Sequence, residues 1–320
     1  MGIKFYFIWF LIFPCLLGFS QNRDTIVTDS YIKSFPEKFT VRIGLSNTSN
    51  SFLITDTETG QRLKLKPNEK TYLGVSFLFR SLELDLGYSP KFISNNQDNE
   101  GSKLFTLNFR TFWNQWMQTL DFYAQKGFSA ITEDGSVRFP DLRTLKIGGT
   151  TAYIFNKKFS FRAVGFQNEW QKKSAGSFVP RFTFYYTRYG LKNAGLESNA
   201  NSYDVAFGPG YHYNLVIAKN YILGAGATTG IGMNMTSSQI KTNTSVLYEA
   251  IFRGALGYNS ERFYIGANAN VLFLEHNTDR VTRLDDKISF LEFYVGYRFK
   301  APKKWITAAD KFNRKFGFDP

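Results

Sequence analysis

Cysteine is almost absent from this chain. The only one, Cys15, lies inside an apolar N-terminal run, so the rest of the chain has neither a disulfide framework nor a thiolate metal site. Histidine is nearly as scarce, with His212 and His276 alone. Two histidines without cysteine do not make a transition-metal ligand set, and no cofactor is expected. No nucleophile-elbow glycine pattern, HExxH or phosphate loop is present. His212 could serve a Ser–His–carboxylate site only with partners in hydrogen-bond reach, and it reads as a hydrogen-bonded interior residue, so no enzyme is expected. Beyond the N-terminus no apolar run is long enough to cross a bilayer as a helix. If the chain spans a membrane, it does so with strands.

Residues 1–20 supply the one long apolar run. Lys4 precedes it, and Gly18 and Ser20 stand where a leader peptidase prefers small residues. This layout predicts a cleaved signal peptide over 1–20. Cys15 follows Phe13 and Pro14, not the small residues of a lipid-attachment box. The chain carries a net charge of +13, of which Lys4 accounts for one. A secreted chain meets little nucleic acid, so no nucleic acid partner is expected. The expected partners are outer-membrane lipids and lipopolysaccharide, whose phosphates attract such a charge.

Aromatic residues reach 18%, with 34 Phe and 18 Tyr, yet only 43% of residues are hydrophobic and mean hydropathy is negative. Alternating strands reconcile these values. In 263–273, Phe263, Ile265, Ala267, Ala269, Val271 and Phe273 share one face, with Tyr264, Gly266, Asn268 and Asn270 on the other. In 221–233 the face opposite Tyr221, Leu223, Ala225 and Ile231 carries Gly224, Gly226, Thr228, Gly230 and Gly232. A water-facing strand side is usually Lys, Glu and Thr. A side rich in glycine and single charges suits a crowded, enclosed interior, with the apolar side against lipid. The prediction is an all-β transmembrane antiparallel β-barrel over 39–299, of about 12 strands with 14 as the alternative. A periplasmic segment over 21–38 precedes it.

Thirteen candidate strands are legible: 39–46, 70–79, 81–89, 102–112, 117–127, 143–155, 159–168, 176–187, 203–217, 220–233, 245–258, 261–275 and 287–299. Bacterial barrels have even numbers, so one must go, and chain direction points to 176–187 as surplus or as part of an excursion over the barrel. Arg80, 156–158, 218–219 and 259–260 read as tight periplasmic turns. Stretches 90–101, 128–142, 234–244 and 276–286 read as outer loops, with an outer hairpin over 51–66.

The inward faces carry charges of both signs. Glu83, Asp85, Asp121, Asp204, Glu249 and Glu292 face Arg42, Arg110, Lys146, Arg162, Arg181, Arg253 and Arg298, with His212 among them. In a narrow barrel such charges are expected to pair and fill the lumen; the alternative is a selective path for small solutes. The tail 300–320 places Trp305, Ala309, Phe312 and Phe316 on one helical face among Lys304, Lys311, Arg314 and Lys315. That is a short basic amphipathic segment suited to a lipid interface, or else a frayed tail.

The stretches SYIKSFPEKFTVRIGLS at 30–46, NKKFSFRAVGF at 156–166 and QNEWQKKSAGSF at 167–178 resemble a Bacteroidota outer-membrane family catalogued as a domain of unknown function (number four-four-two-one). The resemblance runs from about residue 24 to 300 and implies an outer-membrane barrel with no assigned activity, ligand or catalytic residue. The last strand, with Tyr294, Gly296, Tyr297 and Phe299, resembles the signal read by barrel-assembly machinery, an expected partner during biogenesis. Asn168, Glu169, Trp170, Gln171, Lys172 and Lys173 crowd polar groups where the strand count fails. They form the candidate functional segment, able to cap the lumen with Glu169 on an inward arginine.

Overall fold

The computed structural model describes residues 30–67, 71–80, 82–90, 92–93, 103–132, 135–165, 168–193, 196–238, 241–278 and 280–316. The expected signal peptide lies outside the described residues, as does most of the 90–101 stretch.

In chain order the strands are β1 (Ile32–Ser34), β2 (Lys38–Asp56), β3 (Arg62–Pro67), β4 (Thr71–Phe79), β5 (Leu82–Tyr88), β6 (Lys103–Trp113), β7 (Trp116–Thr132) and β8 (Gly135–Tyr153). After a one-turn helix α1 (Arg162–Gly165) come β9 (Glu169–Gln171), β10 (Ala175–Phe178), β11 (Arg181–Asn193), β12 (Leu196–Gly208) and β13 (Gly210–Ile217). The chain finishes with β14 (Tyr221–Ser238), β15 (Thr242–Asn259), β16 (Phe263–Asn277), β17 (Thr282–Lys300) and helix α2 (Lys303–Phe316).

Neighbouring strands pair antiparallel, β2 pairs with β17, and β14 pairs with both β12 and β15, so the sheet closes on itself. The ring has twelve members: β2, β4, β5, β6, β7, β8, β11, β12, β14, β15, β16 and β17. Short β10 and β13 continue β11 and β12 across breaks at Pro180 and Pro209 and pair with each other. Proline has no amide hydrogen to give a ladder, which explains both breaks. Closure leaves the ring no free edge and satisfies the backbone within it, as a bilayer requires.

The burial pattern is inverted relative to a water-soluble domain. Among the largest fully buried side chains are Arg298, Lys146, Gln171, Asn214 and Asn234. Ile43, Leu223, Ile231, Leu256 and Phe293 are all about half exposed or more, on the outer surface. A continuous apolar exterior around a polar interior is the arrangement of a transmembrane β-barrel. Inward glycines make room for large inward neighbours. A Cβ on Gly226 would lie 1.9 Å from Nδ1 of its cross-strand partner His212, and one on Gly296 would lie 2.0 Å from the ring of Tyr264.

Three sequence expectations are corrected. The surplus candidate strand is 159–168, not 176–187, which belongs to β10 and β11. The residues 156–158 do not join adjacent strands by a tight turn; they lie near the start of the insertion 154–174. And 128–142, 234–244 and 276–286 are not loops but hairpins in which the strands run on. In 128–142 the alternation is interrupted because Gly127 (φ 91°) makes a bulge between Lys126 and Phe128, which reverses the facing of the β7 residues that follow. The true tight turns carry Arg80, Asn114, Ala218 and Lys219 at positive φ, as two-residue hairpin turns demand.

At the end of the barrel away from these turns, β3 pairs with β2 on one side and β7 on the other. It bridges above shorter β4, β5 and β6, so the wall narrows from twelve strands to ten. At the turn end α2 lies against the outer surface: the Trp305 ring is 5.5 Å from Phe39 and 6.1 Å from Phe79. Arg80 holds Asp310 at 2.7 Å. Trp305 and Phe312 remain half exposed, on the amphipathic helix that an interface favours.

Candidate functional site: the lumen and its plug

The insertion 154–174 folds back into the bore at the turn end. Its apolar residues Ile154, Phe159 and Phe161 are buried with Leu78, Phe112, Met117, Ala152, Ala175 and Val179 of the wall. Ala163 and Val164 of α1 pack on Ile222 and Ala255. Below them β9 pairs with β1, joining the insertion to the N-terminal segment in a two-stranded sheet. The wall at this level therefore has an apolar inner surface and a chain segment to cover it.

The candidate segment 168–173 is the frame of this plug. Gln171 is 2% exposed. Its Oε1 accepts from the Ser160 amide at 2.7 Å, and its Nε2 donates to the carbonyls of Lys158 (2.7 Å) and Lys173 (2.9 Å). One side chain thus does for the loop backbone what a ladder does for a strand. Asn168 donates to the carbonyl of Arg80. Trp170 Nε1 donates to the Lys219 carbonyl at 2.8 Å, with Lys172 over its ring. Lys173 lies over Tyr31. Glu169 does pair an arginine, Arg162 at 3.1 Å, but Arg162 belongs to α1 and not to a strand, which corrects its placement on the wall. Glu169 also accepts from Ser160 Oγ at 2.5 Å. At the rim of the turn end Lys33 bonds Glu261, and this contact holds the Glu261 carboxyl below the usual carboxylate range.

His212 sits beneath the plug, its ring 5.1 Å from that of Phe161 and edge-on to it. Arg298 closes the same end: it donates to Asn259 Oδ1 at 2.8 Å and lies over Phe35 and Tyr264. Neither reaches the middle of the lumen charge network.

That network is built on Arg42, which is 3% exposed. It contacts Asp85 at 2.9 Å, Glu83 at 3.4 Å and Glu292 at 3.8 Å, and donates to Ser76 at 3.0 Å. Arg110 takes the second oxygen of Glu83 at 3.0 Å. Asp121 accepts from the Tyr185 hydroxyl at 2.9 Å. Higher up, Lys146 pairs with Asp286, and Asp204 accepts from Asn234 at 2.6 Å. Asp286 and Asn234 escape a reading that treats 234–244 and 276–286 as loops. Continuing the alternation Leu284, Asp286, Ile288, Phe290, Glu292 through the first of β17 would have found Asp286. Glu249 is buried without an ion pair among the described residues.

Between plug and upper layers lies a cavity of about 180 Å³, bordered by Arg42, Arg110, Arg181, Arg253, Asp85, Asp121 and Glu292 on its polar sides. Above it Leu247, Ile251, Leu272, Leu274 and Ile288 make an inward apolar layer. Phe52, Phe128 and Leu284, backed by Tyr189, fill the narrowed end. Among the described residues no group of three or more His, Cys, Asp or Glu is placed to hold a metal.

The family profile described as Domain of unknown function (DUF4421) matches residues 22–299. No curated protein matches the chain. Among solved structures, the outer membrane protease OmpT from Escherichia coli is similar at TM-score 0.40 and 8% identity, over 83% of this chain and 98% of that one. An outer membrane channel from Pseudomonas putida F1 is similar at TM-score 0.39 and 11% identity, over 86% and 100%. The toluene transporter TodX of Pseudomonas putida is similar at 0.32 and 9%, over 83% and 90%. Likenesses this distant assign no activity to this chain.

Proposed function

The chain belongs to the DUF4421 family, whose description names no activity, and we propose from its geometry that it is an outer-membrane barrel with a sealed lumen. In this reading it serves as a structural or small-ligand-binding element of the membrane and not as a passive pore. One observation carries the proposal: residues 154–165 and 168–174 occupy the bore at the turn end, with apolar side chains buried against the wall and a glutamine that bonds one amide and two carbonyls of their backbone. A solute path would need water there. Buried Phe159 and Phe161 stand in its way.

The turn end faces the periplasm in this reading, with α2 at the inner leaflet and its lysines on lipid phosphates. The long hairpins face outward, toward lipopolysaccharide. Burial of His212 against an aromatic ring and a glycine backbone supports a structural role for it. The test is single-channel recording on the full chain refolded into planar bilayers, beside a variant with residues 159–173 replaced by a short Gly-Ser linker. The intact protein is expected to be silent and the variant, checked for heat-modifiable gel mobility, to conduct. Steady conductance by the intact protein would contradict the proposal and restore the passive-channel alternative.

A further inference from the structure

Most basic side chains in the lumen have an acidic partner. Arg42 has three carboxylates, Arg110 has Glu83, Lys146 has Asp286 and Arg162 has Glu169. Arg181 and Arg253 differ. Arg181 is 7% exposed and borders the central cavity, yet its guanidinium makes no hydrogen bond or ion pair with another described residue. Arg253 borders the same cavity, and among the described residues its guanidinium has only a cation–π contact, 4.9 Å from the Phe161 ring. Asp121, which borders the same cavity, takes its hydrogen bond from Tyr185.

A buried guanidinium without an acceptor is costly, and its planar fork matches a carboxylate or a phosphate bidentately, so the apolar border of the cavity decides between them. The cavity also has an apolar border: Ile251, two residues from Arg253 on the same face of β15, with its cross-strand neighbours Leu272 and Ile288. The space, about 180 Å³, suits one compact molecule, since dry cavities of about 150 Å³ accept benzene.

We infer that this cavity binds a small organic monocarboxylate, its carboxylate on Arg181 and Arg253 and its apolar body against Ile251, Leu272 and Ile288. The inference rests on the sealed lumen, because an open bore would flood the cavity with water and screen both arginines. The competing acceptor is Glu249, whose two carboxylate oxygens are buried without a hydrogen-bond partner one turn of alternation above Ile251. If Arg181 swung onto it, the site would lose half its charge.

Benzoate is the probe, titrated calorimetrically into the full chain refolded in detergent. One saturable site is expected. Arg181→Gln and Arg253→Gln should each weaken it at least tenfold. Leu272→Trp, which fills the apolar side and leaves every charge in place, should abolish it. Benzyl alcohol and benzamidine, of the same size, should bind at least tenfold more weakly. If Arg181→Gln fails to fold, Arg253→Gln and Leu272→Trp carry the test, each checked by gel mobility. No saturable benzoate binding to the folded barrel, or binding unchanged in either arginine variant, overturns the inference. Inorganic phosphate binding as tightly as benzoate overturns its apolar half. Conductance reads the sealed lumen separately, so a silent barrel that ignores benzoate removes this inference alone.

Discussion

The two ends of the barrel are closed by different means. At the turn end the bore is filled by a separate piece of chain, 154–174, held by Gln171 and by pairing of β9 with β1. At the other end no such insert is found among the described residues; the wall itself tightens from twelve strands to ten, and Phe52, Phe128 and Tyr189 meet across what is left. The insert is secured by a few side-chain hydrogen bonds to backbone and by Phe159, Phe161 and Val164 packed on the wall. A narrowed wall is secured by ladder bonds and packing. The first kind of closure can be undone without disturbing the wall, whereas the second cannot be separated from it.

Two substitutions sharpen that contrast. The larger effect belongs to Gln171→Ala, which strips partners from the Ser160 amide and two carbonyls. Each such orphaned group costs about 1–3 kcal/mol. The plug should loosen, giving flickering conductance and faster proteolysis between 154 and 174 while the heat-modifiable barrel persists. Silent recordings from this variant would break the distinction. Phe128→Ala at the narrowed end should cost about 3–5 kcal/mol of stability, read as a lower urea midpoint, and produce no conductance. A conducting Phe128→Ala barrel would mean that the plug does not seal.

The wall was largely legible in the sequence, and the plug was not. Period-two alternation survives wherever one face meets lipid and the other a crowded interior, so Phe263–Phe273 and Tyr221–Met233 declare themselves. Where the pattern breaks, the physics behind it differs in each case. Gly127 reverses the facing by a bulge. Pro180 and Pro209 cut two strands without ending them. Phe159, Phe161 and Ala163 alternate as a strand would, but in the structure they cover an interior and not a lipid face, and composition alone cannot distinguish those two apolar surroundings. Most inward charges follow from parity; Arg162, on α1, and Asp286, in a stretch read as a loop, do not. Which of them pair was not identifiable, because pairing depends on heights along tilted strands: Arg42 meets Asp85, while Arg181 and Arg253 meet no acid at ion-pair distance among the described residues.

The central claim is that the apolar outer side of the wall touches acyl chains while the charged side is enclosed, and it can be read position by position. Cys15 is the only cysteine, so a Cys15→Ser background takes single spin labels at Ile43, Leu223 and Phe293, with exposed turn residue Ala218 as reference. Power-saturation spectroscopy of the barrel in lipid vesicles should find the first three accessible to oxygen and shielded from a water-soluble nickel chelate, and Ala218 the reverse. Labels at Ile43, Leu223 and Phe293 that meet the nickel chelate as freely as Ala218 does would contradict the account.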